Sequence, residues 1–238
     1  MGVWPATIEG LNYHRNRMSV VRRRVPSLQE ERALQRAGYR LVAGVDEAGR
    51  GAWAGPVVAA AVILPCDRRT PALLRGVNDS KQLAAAQRDA MRAQIQRVAI
   101  AWSVGSASSA EIDALGIVAA TRLAMARAIA GLRVVPDALL IDAVNLPELP
   151  IVQRAFDHAD GISLSVAAAS ILAKTSRDAM MCALDASVAG YGFARHKGYG
   201  TRAHAEALAR LGPCWAHRRS FKPVAALCAR PRPLMADC

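Results

Sequence analysis

Two short apolar runs, residues 40–46 and 56–64, stand close together in the first third of the chain. Val57, Val58, Val62 and Ile63 give the second run β-branched strand character. The stretch Val42-Ala43-Gly44-Val45-Asp46-Glu47-Ala48-Gly49-Arg50-Gly51 joins them: an apolar strand stops at two adjacent carboxylates and a Gly-Arg-Gly turn follows. The pattern predicts a hairpin opening a β-meander, with chemistry at a strand end. Alternation places Asp46 and Glu47 on opposite faces of a regular strand, so both serve one site only where the strand ends and the backbone turns. Gly49 and Gly51 supply that freedom and let a ligand approach the backbone. A lone Asp-Glu pair is more often a solvated turn; its place between two apolar strands and beside Arg50 weighs against that reading.

Helical spacing governs much of the remainder. Ser27 as N-cap with Glu30 at the third position predicts a helix to about residue 37, ended by Gly38. Ala84, Met91, Ile95 and Val98 mark the buried face of a helix over 83–97, and 98–106 reads as a strand. Glu111 opens a short helix; Ile117, Ala120, Ala124 and Ala128 give a longer one to about residue 130. Residues 137–142 hold Ala138-Leu139-Leu140-Ile141 between two acids, a buried strand ending on Asp142 just as the first ends on Asp46. Asp157 and Asp160 lie in a loop before an alanine-rich helix over 163–184, whose Ala167, Ala168 and Ala169 permit close packing on a sheet. A glycine-rich turn, His196-Lys197-Gly198-Tyr199-Gly200, leads to a helix over 201–211. Strands alternating with helices indicate an α/β domain, and the early hairpin makes its sheet mixed. No GxGxxG or Walker A sequence supports a nucleotide-cofactor fold.

Composition sharpens this picture. The 238 residues suit one large domain, or one domain with extensions, and 53% hydrophobic with 5% aromatic residues means an interior of Ala, Val and Leu. The longest uncharged stretch, 51–66, is too short for a membrane span and contains Gly55 and Pro56. No secretory signal or myristoylation pattern opens the chain. Cys66, Cys182, Cys214, Cys228 and Cys238 are odd in number and widely spaced, which reads as reduced thiols in a cytoplasmic protein. The net charge of +12 is uneven: residues 1–40 carry eight arginines against three glutamates, 195–238 carry nine basic residues against two acids, and the middle is balanced. Basic flanks around a neutral core suit a polyanion, since clustered Lys and Arg displace counterions from phosphates.

The candidate chemistry follows from the acids. Asp46, Glu47 and Asp142 at strand ends, with one or both of Asp157 and Asp160, suit a hard divalent cation bound through oxygen. A metal pair held there could activate water for phosphodiester cleavage while the basic flanks hold the strand. Acids at strand ends are also common caps and surface charges. Competing chemistries lack support: His14, His158, His196, His204 and His217 have no HExxH spacing, and no GxSxG elbow exists. Ser170 and Lys174, four apart on one helix face, read as a structural hydrogen bond, and Tyr199 could stack on a sugar or base or simply cover the core.

The run from Ala43 to Gly55 resembles the signature of ribonuclease HII, and further matches follow in order. They are Asn78-Asp79-Ser80-Lys81, Glu111-Ile112-Asp113, Leu140-Ile141-Asp142, AAASILAK over 167–174, Arg177-Asp178, His196-Lys197-Gly198-Tyr199, and His217-Arg218 with Ser220-Phe221. The resemblance covers about residues 40–224 and implies a catalytic domain there, between a basic arm with a short helix over 1–39 and a basic tail over 225–238. It implies a ribonuclease H-like mixed five-stranded sheet flanked by helices, with a helical C-terminal portion. It also implies cleavage of the RNA strand of RNA–DNA hybrids and nicking 5′ to a single ribonucleotide embedded in duplex DNA, by a monomer. By position, Asp46, Glu47, Asp142 and Asp160 would be the catalytic acids holding Mg²⁺ or Mn²⁺. Gly49, Arg50 and Gly51 would read the 2′-hydroxyl and the junction, Tyr199 would pack on the deoxyribose beyond it, and Ser80 and Lys81 would hold backbone phosphate. One departure stands out: Asp160-Gly161-Ile162-Ser163 lacks the lysine that many relatives carry two residues after the acid. The alternatives are an HIII-type nuclease or a junction resolvase within enzymes, and a catalytically silent nucleic-acid-binding protein outside them.

Overall fold

A computed structural model describes residues 25–77 and 85–228 of the chain. Five strands, β1 (Val42–Ala48), β2 (Val57–Ile63), β3 (Ala101–Ala107), β4 (Ala138–Asp142) and β5 (Val152–Phe156), form one sheet in the order β3-β2-β1-β4-β5. The hairpin partners β1 and β2 are antiparallel, as are β2 and β3, whereas β4 runs parallel to β1 and to β5. The sheet is therefore mixed, with β1 at its centre.

The two apolar runs are continuous rather than alternating because helices cover both faces of the sheet. Helix α5 (Ile117–Ala130) packs Ala120, Ala124, Met125 and Ala128 onto Ala43, Val45, Ala59, Ala61, Leu139 and Ile141. Helix α6 (Leu164–Ser187) lies on the other face, its Ala167, Ala168 and Ala169 against Ala60 and Val62, and Val166 against Val42 and Leu140. Both helices approach the sheet backbone itself. A Cβ on Gly44 would stand 2.2 Å from the Ser165 carbonyl carbon, and one on Gly105 would stand 2.3 Å from the Ala124 carbonyl oxygen.

Helix α1 (Gln29–Arg36) begins one residue later than the capping pattern predicts: Leu28 is its N-cap and no side chain caps it. Ser27 instead pairs by backbone with the start of α6, its N–H donating to the Ile162 carbonyl at 2.9 Å and its carbonyl accepting from Leu164 N–H at 3.0 Å. Between β2 and β3 come α2 (Thr70–Leu73) and α3 (Ala85–Val98), where Ile95 is buried as its spacing predicts. Ser108 and Glu111 form a reciprocal capping box on α4 (Ser109–Leu115). β5 carries Gln153 and Arg154 on an edge strand, so it lacks the apolar periodicity that marks the other four. The C-terminal portion is helical, with α7 (Phe193–His196), α8 (Arg202–Leu211) and α9 (Lys222–Cys228). Asp113 at the end of α4 ties it down, accepting from Arg219 N–H at 2.9 Å and from Ser220 N–H at 2.8 Å. Among the described residues no helix is long and apolar enough to cross a membrane.

Candidate active site

The strand ends decide which acids meet. Val45 pairs with Ile141 across the parallel β1–β4 junction, so Asp46 and Asp142 follow one step further on neighbouring strands. Alternation sends Val42, Gly44 and Asp46, like Ala138, Leu140 and Asp142, to the face covered by α6. Glu47 takes the next position and still pairs with Ala59; β1 runs on to Ala48 rather than stopping at the two acids as its pattern predicts. Burial, with the nearby Glu47 and Asp142 carboxylates, raises Asp46 well above the usual carboxylate range. Two hydrogen bonds act against that rise: the Ser170 hydroxyl of α6, and the Glu47 N–H, which donates to Asp46 Oδ1 at 2.7 Å.

Asp160 reaches the same end of the sheet by a different route. Asp142 Oδ1 accepts the Ala159 N–H at 2.8 Å, fixing the 3₁₀ turn Ala159–Gly161 in which Asp160 is 5% exposed. Asp157, the other acid of this loop, is exposed. Ser163 caps α6 immediately afterwards, its hydroxyl accepting from Val166 N–H. Beneath the turn lies the buried Glu31, whose Oε1 accepts from Ser163 Oγ at 2.6 Å, Ser165 Oγ at 2.7 Å and Ser165 N–H at 2.9 Å. A carboxylate on the first turn of α6 complements the helix dipole and locks α1 to the segment bearing Asp160. In the sequence, Glu31 looks like an ordinary first-turn acid of α1.

The Gly-Arg-Gly turn is built as a rigid ledge. Gly49 has a φ of 92°, and a Cβ there would fall 1.9 Å from Arg177 Nε, so only glycine fits. Gly51 has open space around it, and Arg50 reaches back to Glu47 at 3.2 Å. Two fully buried arginines hold the ledge from below. Arg177 donates to the carbonyls of Pro56 and Lys197 at 2.9 Å and of Ala54 at 3.2 Å; Arg218 donates to those of Arg50 at 2.8 Å and Gly55 at 3.0 Å. Burial lowers both guanidinium pKa values, that of Arg218 to about 9. Both residues fall within the matched sequence motifs, but nothing in composition or spacing reveals that they serve one loop.

Tyr199 stands beside this ledge, 37% exposed, its ring 5.3 Å from the Arg177 guanidinium and 6.0 Å from Lys174 Nζ. Lys174 pairs with Asp178 at 2.6 Å, while Ser170 faces Asp46, so the two residues serve different partners rather than each other. Ser80 and Lys81 lie outside the described residues. Asp46, Glu47, Asp142, Asp160, the Gly49–Gly51 turn and Tyr199 thus frame one end of the sheet. Among the described residues no three of His, Cys, Asp and Glu form a ready-made ion cluster.

Under Tyr199 the C-terminal portion buries three histidines. Burial, with the neighbouring His204, pushes His217 down to about 4, and burial lowers His204 as well. Below pH 6.5 the unfolded chain takes up protons that the folded chain refuses. Stability is therefore full above pH 6.5 and falls as the pH drops towards 4, with about 2 kcal/mol lost by pH 5 from His217 alone. Urea midpoints at pH 7 and pH 5 check this; equal midpoints would contradict it.

A family model described as ribonuclease HII matches residues 43–224. The ribonuclease HII of Chloroflexus aurantiacus is 54% identical over 201 residues, 84% of this chain and 95% of that protein. Among solved structures, the PCNA:RNase HII complex from Archaeoglobus fulgidus is similar at 27% identity and a TM-score of 0.66, covering 80% of this chain and 98% of that one. The Bst-RNase HIII solved in complex with Mn²⁺ shares the fold at 20% identity and a TM-score of 0.61, covering 83% of this chain and 72% of that one.

Proposed function

The chain belongs to the ribonuclease HII family, and on that premise we propose that Asp46, Glu47, Asp142 and Asp160 are its catalytic acids and that residues 49–51 with Tyr199 select the substrate. The reaction is cleavage of RNA in RNA–DNA hybrids, single embedded ribonucleotides included. The observation that carries the residue assignment is the register of β1 and β4, which sets Asp46 and Asp142 side by side on one sheet face next to the ledge.

The donor set fits a hard divalent cation. It is all oxygen, Asp46 is buried, and neighbouring carboxylates disfavour its charge, a cost that a cation would relieve. Mg²⁺ or Mn²⁺ would be held by these four acids; a closed protein cage is unnecessary, because such ions commonly combine a few carboxylates with substrate phosphate and water. The chemistry such ions supply is activation of the attacking water and stabilisation of the leaving 3′-oxygen, giving 3′-hydroxyl and 5′-phosphate ends. The protein's own part is positioning. Ser170 orients Asp46, and Asp142 fixes the turn that carries Asp160. The ledge offers backbone groups and Arg50 to the 2′-hydroxyl, the one atom that separates RNA from DNA there. Tyr199 packs on the deoxyribose beyond the junction. The basic flanks, Arg195 and Arg202 among them, supply phosphate contacts.

Arg50→Ala separates recognition from chemistry. We expect kcat/KM on a duplex with one ribonucleotide to fall about tenfold or more, about 1.4 kcal/mol, with a smaller loss on a long hybrid, where many registers are productive. Equal losses on both substrates would contradict a role in reading the junction.

A further inference from the structure

The three buried histidines of the C-terminal portion form a chain whose proton positions are fixed by their partners. His196 Nδ1 faces the Gly198 N–H at 3.2 Å and so must accept; its Nε2 faces the Tyr191 carbonyl at 2.8 Å and so must donate. His204 Nδ1 faces the Tyr199 carbonyl at 3.0 Å and so carries the proton, which leaves its Nε2 to accept from His217 Nε2, 3.1 Å away. His217 Nδ1 then accepts from the Cys214 N–H at 3.1 Å, with the Cys214 thiol also at 3.1 Å. Every ring is neutral, each with one donor and one acceptor used. A second proton on any of them would set donor against donor: at Gly198 N–H for His196, at His217 for His204, at Cys214 N–H for His217.

The chain converges on two consecutive residues. His196 fixes the amide of Gly198, His204 fixes the carbonyl of Tyr199, and the rings of His196 and His204 stack at 4.4 Å. The Gly198 carbonyl in turn accepts from Trp53 N–H at 2.8 Å and Ala54 N–H at 3.3 Å, just after the ledge. Close fit leaves no slack: a Cβ on Gly198 would fall 2.4 Å from the Ala54 carbonyl oxygen, and one on Gly200 would fall 2.2 Å from the Trp53 ring.

We propose that His196, His204 and His217 are positioning residues that set Tyr199 against the ledge through a neutral, fixed-tautomer hydrogen-bond chain, and so act on recognition of the nucleotide beyond the junction. The proposal rests on the reading of Tyr199 as a substrate contact. None of the three touches the reacting atoms. Phe193, Tyr191 and Trp53 pack against His204 and His217, which are almost fully buried.

Two measurements test it. Imidazole ¹⁵N chemical shifts of the whole protein at pH 7 should report protons on Nε2 of His196 and His217 and on Nδ1 of His204; a charged ring or a reversed tautomer would overturn the chain without touching Tyr199's role. Steady-state kinetics on a single-ribonucleotide duplex supply the second. Tyr199→Ala should raise KM about tenfold with kcat changed about twofold or less. His204→Asn places a side-chain amide near Nδ1 and keeps the Tyr199 contact while losing the one to His217, so it should raise KM less than His204→Gln, whose amide lies nearer Nε2 and which should raise KM as Tyr199→Ala does. The His204→Gln effect should vanish in the Tyr199→Ala background. Equal effects of Asn and Gln, or losses that multiply with Tyr199→Ala, would reduce the histidines to fold support and overturn the proposal while Tyr199 keeps its role. A Tyr199→Ala variant with unchanged KM would overturn the Tyr199 reading, and with it the purpose assigned to the chain.

Discussion

Asp46→Asn should lower metal-dependent cleavage by about a thousandfold or more, a loss of about 4 kcal/mol of transition-state stabilisation, while leaving hybrid binding largely intact. The swap is nearly isosteric, and the new side chain can still accept the Glu47 N–H that Asp46 Oδ1 accepts at 2.7 Å. It removes a carboxylate whose charge burial, Glu47 and Asp142 all disfavour, so the fold should gain stability. Activity and stability then move in opposite directions, which a merely structural acid would not produce. Single-turnover cleavage, hybrid affinity and thermal melting of the variant check all three parts. Cleavage at the parent rate would remove Asp46 from the site.

Arg177→Ala should cost about 3–5 kcal/mol of folding stability, a large part of what a domain of this size possesses. Three carbonyl oxygens, those of Pro56, Lys197 and Ala54, lose their donor at once, and a buried cavity opens beside Gly49. Because Arg177 also lies against the Tyr199 ring, the ledge and Tyr199 should loosen together. Arg177→Lys keeps the charge but cannot span three acceptors with one ammonium, so it should recover only part of the loss. Denaturant titration reads the effect. A destabilisation under about 1 kcal/mol would show that the ledge is held by its other bonds, chiefly those of Arg218 and Gly198.

What the sequence makes legible is what periodicity and end signals control. The runs at 40–46 and 56–64 become the central strands because both faces of each are covered, and the alanines at 167–169 become the contact surface of α6 for the reason their size implies. Asp46 and Asp142 are recognisable as strand-end acids; that they are neighbours depends on the parallel pairing of β1 with β4, which no local pattern encodes. β5 escapes notice because an edge strand need not be apolar, and the start of α1 is misplaced because Ser27 spends its backbone groups on α6 instead of capping. Glu31, Arg177, Arg218 and the histidine chain are legible only in three dimensions. Glu31, Arg177 and Arg218 are polar residues buried against partners distant in sequence, and the histidines are buried against partners close by; in neither case do the sequence neighbours give a sign of that burial. The family resemblance flags most of these positions without saying what they hold. Asp157 and Asp160 are equivalent in spacing arguments, and burial distinguishes them.

The central claim is that strand-end acids cut where a 2′-hydroxyl is read by the adjacent ledge. Its most direct test is cleavage of end-labelled duplex DNA carrying one ribonucleotide, with Mg²⁺, Mn²⁺ or chelator, beside an all-DNA control of the same sequence. A single nick 5′ to the ribonucleotide, dependent on the ion and absent from the control, is the expected result. Cutting of long RNA–DNA hybrids without that nick would contradict the role given to Gly49, Arg50 and Gly51, and binding without any cleavage would contradict the catalytic assignment of the four acids.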